Sequence, residues 1–524
     1  MDIRNINLFA HNGDCWVTPP STMESLWAGL GGGANGLCLD VLLTRDKQII
    51  CTANASLEHS CGVPAQVDTL DLDAIQKLDA GKTWRSSELD ANYQPTGARG
   101  EDTPWDASSQ RPVVLSKLED VLRIFGRRTQ LLIRLPDLTY QHQSDLTTLL
   151  AELLSRFGLT QRACIIAPIA TCQLLRQQGY HGELAADLTR MNGLNPATLD
   201  AASCVDADYQ LAWAEEFVSY FLNQNQPVQN KNWLLITQQP FAPTPDTIRA
   251  LRQAAPHIAG LIARGALPTS EQLLPPAQVM QDDFSGDRID RDLWTAGYSH
   301  TNQDTRIYQE DGLHIDIKQG GEYSGAAAVT CNSYHGDFDA RVDFHVASPH
   351  QGTTFEMAAI GIDPGYFNIS NDNLNGKKVN LTFDVHGAPP YASSERDEDD
   401  GFRTGWNNSF NLTKIGSVSQ ENGELNIDDW AASSVNMYNK YRRDVGYGGN
   451  DSPTGTLRLI RRGPVFSSYY KDALNKAWVC SGTVLVHNLQ SEAFIRLAAK
   501  HWKKRNPEPP KNHVTFKQFR LFQY

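Results

Sequence analysis

Two hydrophobic rhythms divide this 524-residue chain. Up to about residue 270, short apolar runs alternate with amphipathic stretches. Ile6 to Ala10, Leu37 to Leu43, Leu131 to Leu135, Ala163 to Ala167, Trp233 to Thr237 and Ile258 to Ala263 read as strands, and Gln48 to Thr52 as a short partner beside the second. Between them, Thr22 to Leu30, Leu115 to Phe125, Leu146 to Phe157 and Pro245 to Ala255 read as helices. Ser21 or Thr22 serves as cap of the first, and Ser144 or Asp145 as cap of the third. Strands alternating with helices over this length predict a (β/α)8 barrel. A doubly wound α/β sheet is the alternative, but it wants a glycine-rich phosphate turn after a strand. Gly31-Gly32-Gly33 follows a helix and reads as its stop. Residues 58 to 112 are polar and rich in proline and glycine, with little periodicity.

Beyond this the period changes to two. Ala340 to Val346, Val379 to Val385 and Thr456 to Arg462 alternate apolar with polar side chains between turn residues, which predicts an all-β sandwich. The expected organisation is therefore a barrel over 1–270, a linker over 271–281 marked by Pro275-Pro276, and a β-sandwich over 282–524.

Composition narrows the picture further. The chain is 40% apolar and 20% charged, with a net charge of −13, which argues against nonspecific binding to nucleic acid or anionic lipid. No apolar run is long enough for a membrane span. The opening ten residues lack the apolar core of an export leader, so a cytoplasmic protein is expected, with leaderless secretion as the alternative. Nine cysteines, an odd number without a C-x-x-C pair, suggest free thiols rather than a disulfide framework or a zinc site.

The chemistry concentrates near the start. His11-Asn12-Gly13, Pro19-Pro20-Ser21-Thr22, Cys38-x-Asp40-Val41-x-x-Thr44-x-Asp46 and Leu78-Asp79-Ala80-Gly81 follow one another. This series resembles the glycerophosphodiester phosphodiesterase family, whose pattern reads H-R-G, P-E-N-T, E-x-D-V-x-x-T-x-D, H-D and L-D-A-G. The resemblance implies a barrel with a divalent metal held by carboxylates, two histidines moving protons and an arginine on the phosphate. A hard cation wants oxygen ligands, proton transfer near neutral pH wants imidazole, and a phosphoryl oxygen suits a guanidinium fork. In that register His11 matches the first histidine and Asp40 a metal ligand. Asn12 replaces the arginine, Cys38 the first metal glutamate, Pro20 and Ser21 the glutamate and asparagine of P-E-N-T, and Ala53 and Asn54 the second histidine and its aspartate. Arg134 stands where a later glutamate belongs. The resemblance thus keeps the frame and loses most of the reactive groups, with His11 and Asp40 as remnants. Asp40 is expected to pair with Arg134, and Cys38 is either an inert core thiol or a nucleophile activated by His11.

In the second half, Asp282-Asp283-Phe284-Ser285-Gly286 with Trp294, the run from Leu457 to Gly463 leading to Tyr469-Tyr470 and Trp478, and the closing strand Val514 to Phe522 resemble the concanavalin-like lectin/glucanase jelly roll. Trp294 and Trp478 read as core. Trp406, Trp430 and Tyr447, in polar stretches, are the candidates for stacking on a sugar. Glu395 to Asp400 reads as a solvated acidic loop, with calcium binding second and paired-carboxylate catalysis third. Lys500 to Arg505 reads as a basic loop.

Together these point to a pseudo-phosphodiesterase barrel fused to a glycan- or protein-recognising sandwich. The alternatives are an active phosphodiester or glycan hydrolase and a structural part of an assembly. No cofactor is expected unless the barrel is active, when it would be magnesium or calcium, and calcium is an option for the sandwich. The partner is a glycan or a protein rather than nucleic acid, with the oligomeric state open.

Overall fold

A computed structural model describes residues 6–104, 113–137, 141–228, 232–298, 305–317, 324–347, 353–362, 379–387, 416–421, 424–428, 454–472, 477–485, 492–501 and 511–524. The chain divides into two compact units, with the main boundary between Pro275 and Pro276.

In the first unit, eight parallel strands close on themselves. They are β1 (Asn7–His11), β2 (Gly36–Leu43), β3 (Gln130–Arg134), β4 (Ala163–Ala167), β5 (Leu184–Asp187), β6 (Tyr209–Trp213), β7 (Asn232–Ile236) and β8 (Ile258–Ala263). Each pairs with its successor, and β8 returns to β1 through Asn7–Gly260 to Ala10–Ala263. The expected barrel is present, and Ile49–Cys51 adds an antiparallel strand to β2. The pattern of apolar runs missed β5 and β6. Leu-Ala-Ala-Asp and Tyr-Gln-Leu-Ala-Trp are short and lack the branched residues that mark strands.

Helix α1 (Met23–Gly31) begins where expected: Thr22 Oγ1 accepts the Ser25 N–H at 3.1 Å, an N-cap of the usual kind. The third predicted helix runs Gln143–Arg156 from a cap at His142, ahead of Ser144 and Asp145. Residues 58–112, read as polar with little periodicity, contain two short helices, Glu58–Cys61 and Leu72–Ile75, and the hairpin of Arg85–Leu89 with Pro95–Pro104. The segment read as a linker over 271–281 holds the boundary between the two units and carries regular structure on either side of it. Helix α2 (Ala266–Leu273) is almost wholly buried, and Ala277–Asp282 is a strand paired with Asn512–Gln523. The two prolines interrupt the chain only between these elements.

The second unit is largely antiparallel sheet. One sheet orders Arg306–Gln309, Leu313–Ile317, Asn512–Gln523, Phe338–Val346, Thr454–Arg462, Val465–Asp472 and Val479–Leu485. The other orders Trp294–Tyr298, Ser324–Thr330, Glu492–His501, Thr353–Ile362, Val379–Gly387, Gly416–Glu421 and Glu424–Asp428. Period-two alternation turns Leu313, Ile315, Ile317, Phe338, Phe344, Val514 and Phe516 of the first sheet into one cluster with Ala328, Phe355, Met357 and Ile495 of the second. Trp294 is fully buried there, as expected, its indole N–H donating to Asp282 Oδ2 at 2.8 Å. Trp478 is not core: it is half-buried, with the Lys471 Nζ 4.9 Å and the Arg458 guanidinium 5.4 Å from its ring. Asp339 is fully buried and bound by Arg458 and Arg341, each at 2.6 Å.

All nine cysteines are free thiols. Among the described residues no helix is long and apolar enough to cross a membrane.

Candidate functional site

The barrel interior explains which side chains reach its mouth. Phe9, Cys38, Leu132, Ala185, Leu211 and Ile262 form one interior cluster, contributed by β1, β2, β3, β5, β6 and β8. Side chains two residues apart share a face of a strand, so the next layer toward the C-terminal ends is His11, Asp40, Arg134, Asp187, Trp213 and Arg264. This is the end of a parallel barrel where sites assemble.

Asp40 is the hub of that layer. Its Oδ2 lies 2.7 Å from His11 Nε2 and accepts the Asn12 Nδ2–H at 2.7 Å, while its own N–H donates to Asn12 Oδ1 at 3.0 Å. Burial alone would raise the Asp40 pKa. The His11 imidazole, the Arg134 guanidinium and the Asn12 amide outweigh it and hold the carboxyl well below the usual range. Asn12 sits in the left-handed region at φ 58°, which asparagine tolerates. Gly13 follows at φ 92°, and a Cβ there would come 2.0 Å from Ser25 Oγ, so the turn that aims His11 and Asn12 requires glycine.

Arg134 is not chiefly the partner of Asp40, as the sequence suggested. Its Nη1 stands 3.9 Å from Asp40 Oδ1, whereas its Nε donates to Asp187 Oδ2 at 3.0 Å and its Nη2 to Thr189 Oγ1 at 2.7 Å. Asp187 is fully buried and also meets Arg190 Nε at 3.2 Å. Arg190 in turn donates to the Leu135 carbonyl at 2.8 Å. The Trp213 indole N–H donates to the Thr189 carbonyl at 3.0 Å, fixing the β5 turn from β6. On β8's side Arg264 is exposed, and its carbonyl accepts the Cys15 N–H at 2.7 Å. Glu215 is committed to the Thr237 hydroxyl at 2.9 Å and the Gln238 N–H at 3.1 Å.

The motif spacing led to His11, Asn12, Asp40 and Arg134, and the structure brings these four together. It missed Asp187, Arg190, Trp213 and Arg264. The two-residue step beyond the interior positions of β5, β6 and β8 would have found Asp187, Trp213 and Arg264, had β5 and β6 been recognised. Ala53 and Asn54 are exposed in the loop after Ile49–Cys51, which Thr52 ties to β2 through its N–H on the Asp40 carbonyl at 2.9 Å. Trp406, Trp430 and Tyr447 lie outside the described residues, as does the acidic run from Glu395 to Asp400.

Among the described residues, the side chains at the mouth do not form an oxygen cage for magnesium or calcium. The Asp40 Oδ2 that would ligate a cation is taken by His11 and Asn12. Asp187 is enclosed by two guanidiniums. The Cys38 thiol is fully buried, and burial together with Asp40 pushes its pKa well up, so it is neither a cation ligand nor a ready nucleophile. His11 Nε2 points to Asp40, so the proposed His11–Cys38 activation is not seen. Among the described residues, no three His, Cys, Asp or Glu side chains are placed to hold a metal ion.

The N-terminal half of the chain resembles glycerophosphodiester phosphodiesterases. A protein of Mycobacterium tuberculosis (strain H37Rv) named "Probable glycerophosphodiester phosphodiesterase 1" is 29% identical over 92 residues, 18% of this chain and 31% of the relative. A glycerophosphodiester phosphodiesterase of Caldanaerobacter subterraneus subsp. tengcongensis is 31% identical over 74 residues, 14% of this chain and 30% of the relative. The chain therefore matches less than a third of the length of these curated relatives. Among solved structures, a glycerophosphodiester phosphodiesterase from Agrobacterium tumefaciens superposes over 51% of this chain and 99% of its own, with 14% identity and a TM-score of 0.37. An Oleispira antarctica phosphodiesterase, in complex with the product sn-glycerol-3-phosphate, does so over 52% and 99%, with 13% identity and a TM-score of 0.38. No family model matches the chain.

Proposed function

We propose that this chain is a pseudo-phosphodiesterase: a barrel that binds a phosphate ester without cleaving it, joined to a concanavalin-like jelly roll that recognises a glycan or a protein. One observation carries the reading. The single carboxylate kept from the metal-binding pattern, Asp40, is bound by His11 and Asn12, and the guanidinium of Arg134 stands beside it. A fixed cation has taken the side of the mouth where an oxygen cage for a divalent ion would be needed. Arginine forks suit phosphate oxygens without metal. Losing a general acid or base costs about 10²–10⁴-fold in rate, and losing the metal removes several kcal/mol more of charge stabilisation. The free thiols suit a reducing, cytoplasmic location.

The test is turnover of glycerophosphocholine and bis-(p-nitrophenyl) phosphate with and without magnesium or calcium, beside calorimetry with sn-glycerol 3-phosphate in EDTA. The expected result is no turnover above that of His11→Ala, with binding that survives EDTA and weakens several-fold in Arg264→Ala. A second reading, an active hydrolase, is favoured by the 2.7 Å contact of His11 with Asp40, which would orient the imidazole as a general base. Turnover abolished by His11→Ala would establish that reading and reject ours.

A further inference from the structure

The second unit carries a histidine pair that the function above does not use. His314 and Asp316 lie on Leu313–Ile317, and His513 and Thr515 on the neighbouring strand Asn512–Gln523. The alternate residues Leu313, Ile315, Ile317, Val514 and Phe516 face the core, so these four side chains share the opposite face. His314 pairs in register with Thr515, and Asp316 with His513.

Their hydrogen bonds orient the two rings. His314 Nε2 lies 2.8 Å from the Glu310 carbonyl, which can only accept, so Nε2 carries a hydrogen. His513 Nδ1 lies 2.6 Å from the Asp316 carboxylate, so Nδ1 carries a hydrogen. The other two ring nitrogens face each other, with His314 Nδ1 and His513 Nε2 3.0 Å apart. Thr515 Oγ1 stands 3.0 Å from one and 3.1 Å from the other. Two imidazole nitrogens brought together, each ring held from behind by a carbonyl or a carboxylate, is the arrangement that outer hydrogen-bond partners impose on metal-binding histidines.

We propose that His314 Nδ1 and His513 Nε2, with the Thr515 hydroxyl, bind a divalent first-row transition-metal ion on this face of the sheet. With metal–nitrogen bonds of about 2.0–2.1 Å, the 3.0 Å separation corresponds to an N–metal–N angle a little over a right angle. That suits nickel or copper(II) better than the wider tetrahedral angle of a structural zinc. Asp316 supplies the compensating charge from behind His513, and both are partly exposed, at 18% and 30% of their side chains, so an ion has a way in. His345 is the register partner of Thr515 on its other side and Lys517 follows two residues on. Burial, then His513, Lys517 and His314, lower the proton affinity of His345. Solvent completes the coordination.

The competing occupant of the same gap is a proton shared between the rings. Titration calorimetry with nickel on the full, tag-free chain separates the two. One equivalent should bind in the wild type, in His11→Ala and in Cys204→Ser, and be lost in His314→Ala and in His513→Ala. Asp316→Asn leaves both rings in place and should weaken binding by about 10–100-fold, which keeps the test open if a histidine variant fails to fold. No binding of nickel, copper or zinc up to millimolar concentration, or undiminished binding in the His314→Ala/His513→Ala double variant, would overturn the proposal and leave the shared proton.

Discussion

Asp40→Ala tests the account of the barrel mouth most directly. The substitution removes the acceptor of His11 and of Asn12, both at 2.7 Å, and the second, 3.9 Å partner of Arg134. Two hydrogen bonds to a charged group contribute about 1.5–3 kcal/mol each. Against this, returning a carboxylate that is 12% exposed to water in the unfolded chain relieves a desolvation penalty of up to several kcal/mol. Arg134 keeps Asp187, so its charge is not left alone. The expected net loss is about 2–4 kcal/mol, within the range for breaking a buried polar network. Hydrogen exchange of the barrel strands under urea is the assay, because a two-unit chain need not unfold in one step. A double-mutant cycle refines it: coupling of His11 with Asp40 should exceed coupling of Arg134 with Asp40, following 2.7 Å against 3.9 Å. Because the folded carboxyl lies below its usual range, this contribution is present above a pH of about 4 and lost as the pH falls. A loss below about 0.5 kcal/mol, or the reverse order of couplings, would refute the reasoning.

In the second unit, Asp339→Ala leaves Arg458, only 2% exposed, without its carboxylate, and should cost about 3–5 kcal/mol by urea denaturation. Burial opposes the Asp339 charge, but Arg458 and Arg341 hold its pKa down at about 2, so the pair's contribution should be intact above the usual value of 3.8 and lost on acidification toward 2. Asp14 works in the opposite sense: it is fully buried at the start of α2, accepting the Leu267 N–H at 2.9 Å and the Trp16 N–H at 3.2 Å, and burial pushes its carboxyl up to about 7. Its contribution is full below the usual value of 3.8 and is lost as pH rises through about 7. The urea midpoint of Asp14→Asn should therefore gain on the wild type across that window, by up to about 4 kcal/mol, and a flat difference would show that the α2 amides already stabilise the ionised form. Gly13→Ala, at φ 92° with Ser25 Oγ 2.0 Å from the new Cβ, should lower the melting temperature and loosen the His11–Asp40 contact, seen as a shifted His11 ring signal by NMR.

What was legible in the sequence and what was not have one physical cause. Barrel closure followed from apolar runs separated by helical stretches, and His11, Asp40 and Arg134 from motif spacing along single strands. Thr44 and Asp46, which secured that spacing, turn out to build the turn after β2: the Thr44 hydroxyl donates to Asp46 Oδ1 at 2.5 Å, which also accepts the Leu72 N–H at 3.0 Å. They build the frame rather than the barrel mouth. Asp187 and Arg190 were hidden because their roles arise across the barrel. Arg134 reaches Asp187 over 53 positions of sequence, and no local period encodes that contact. The consequence bears on function: Arg134 opposes a divalent cation only because Asp187 and Thr189 anchor its guanidinium in the mouth. Replacing Arg134 by glutamate would therefore set a new carboxylate against the buried one of Asp187. Recovering a cation site needs Asp187 and Arg134 changed together, and a single Arg134→Glu variant should lose stability without gaining affinity for magnesium in calorimetry.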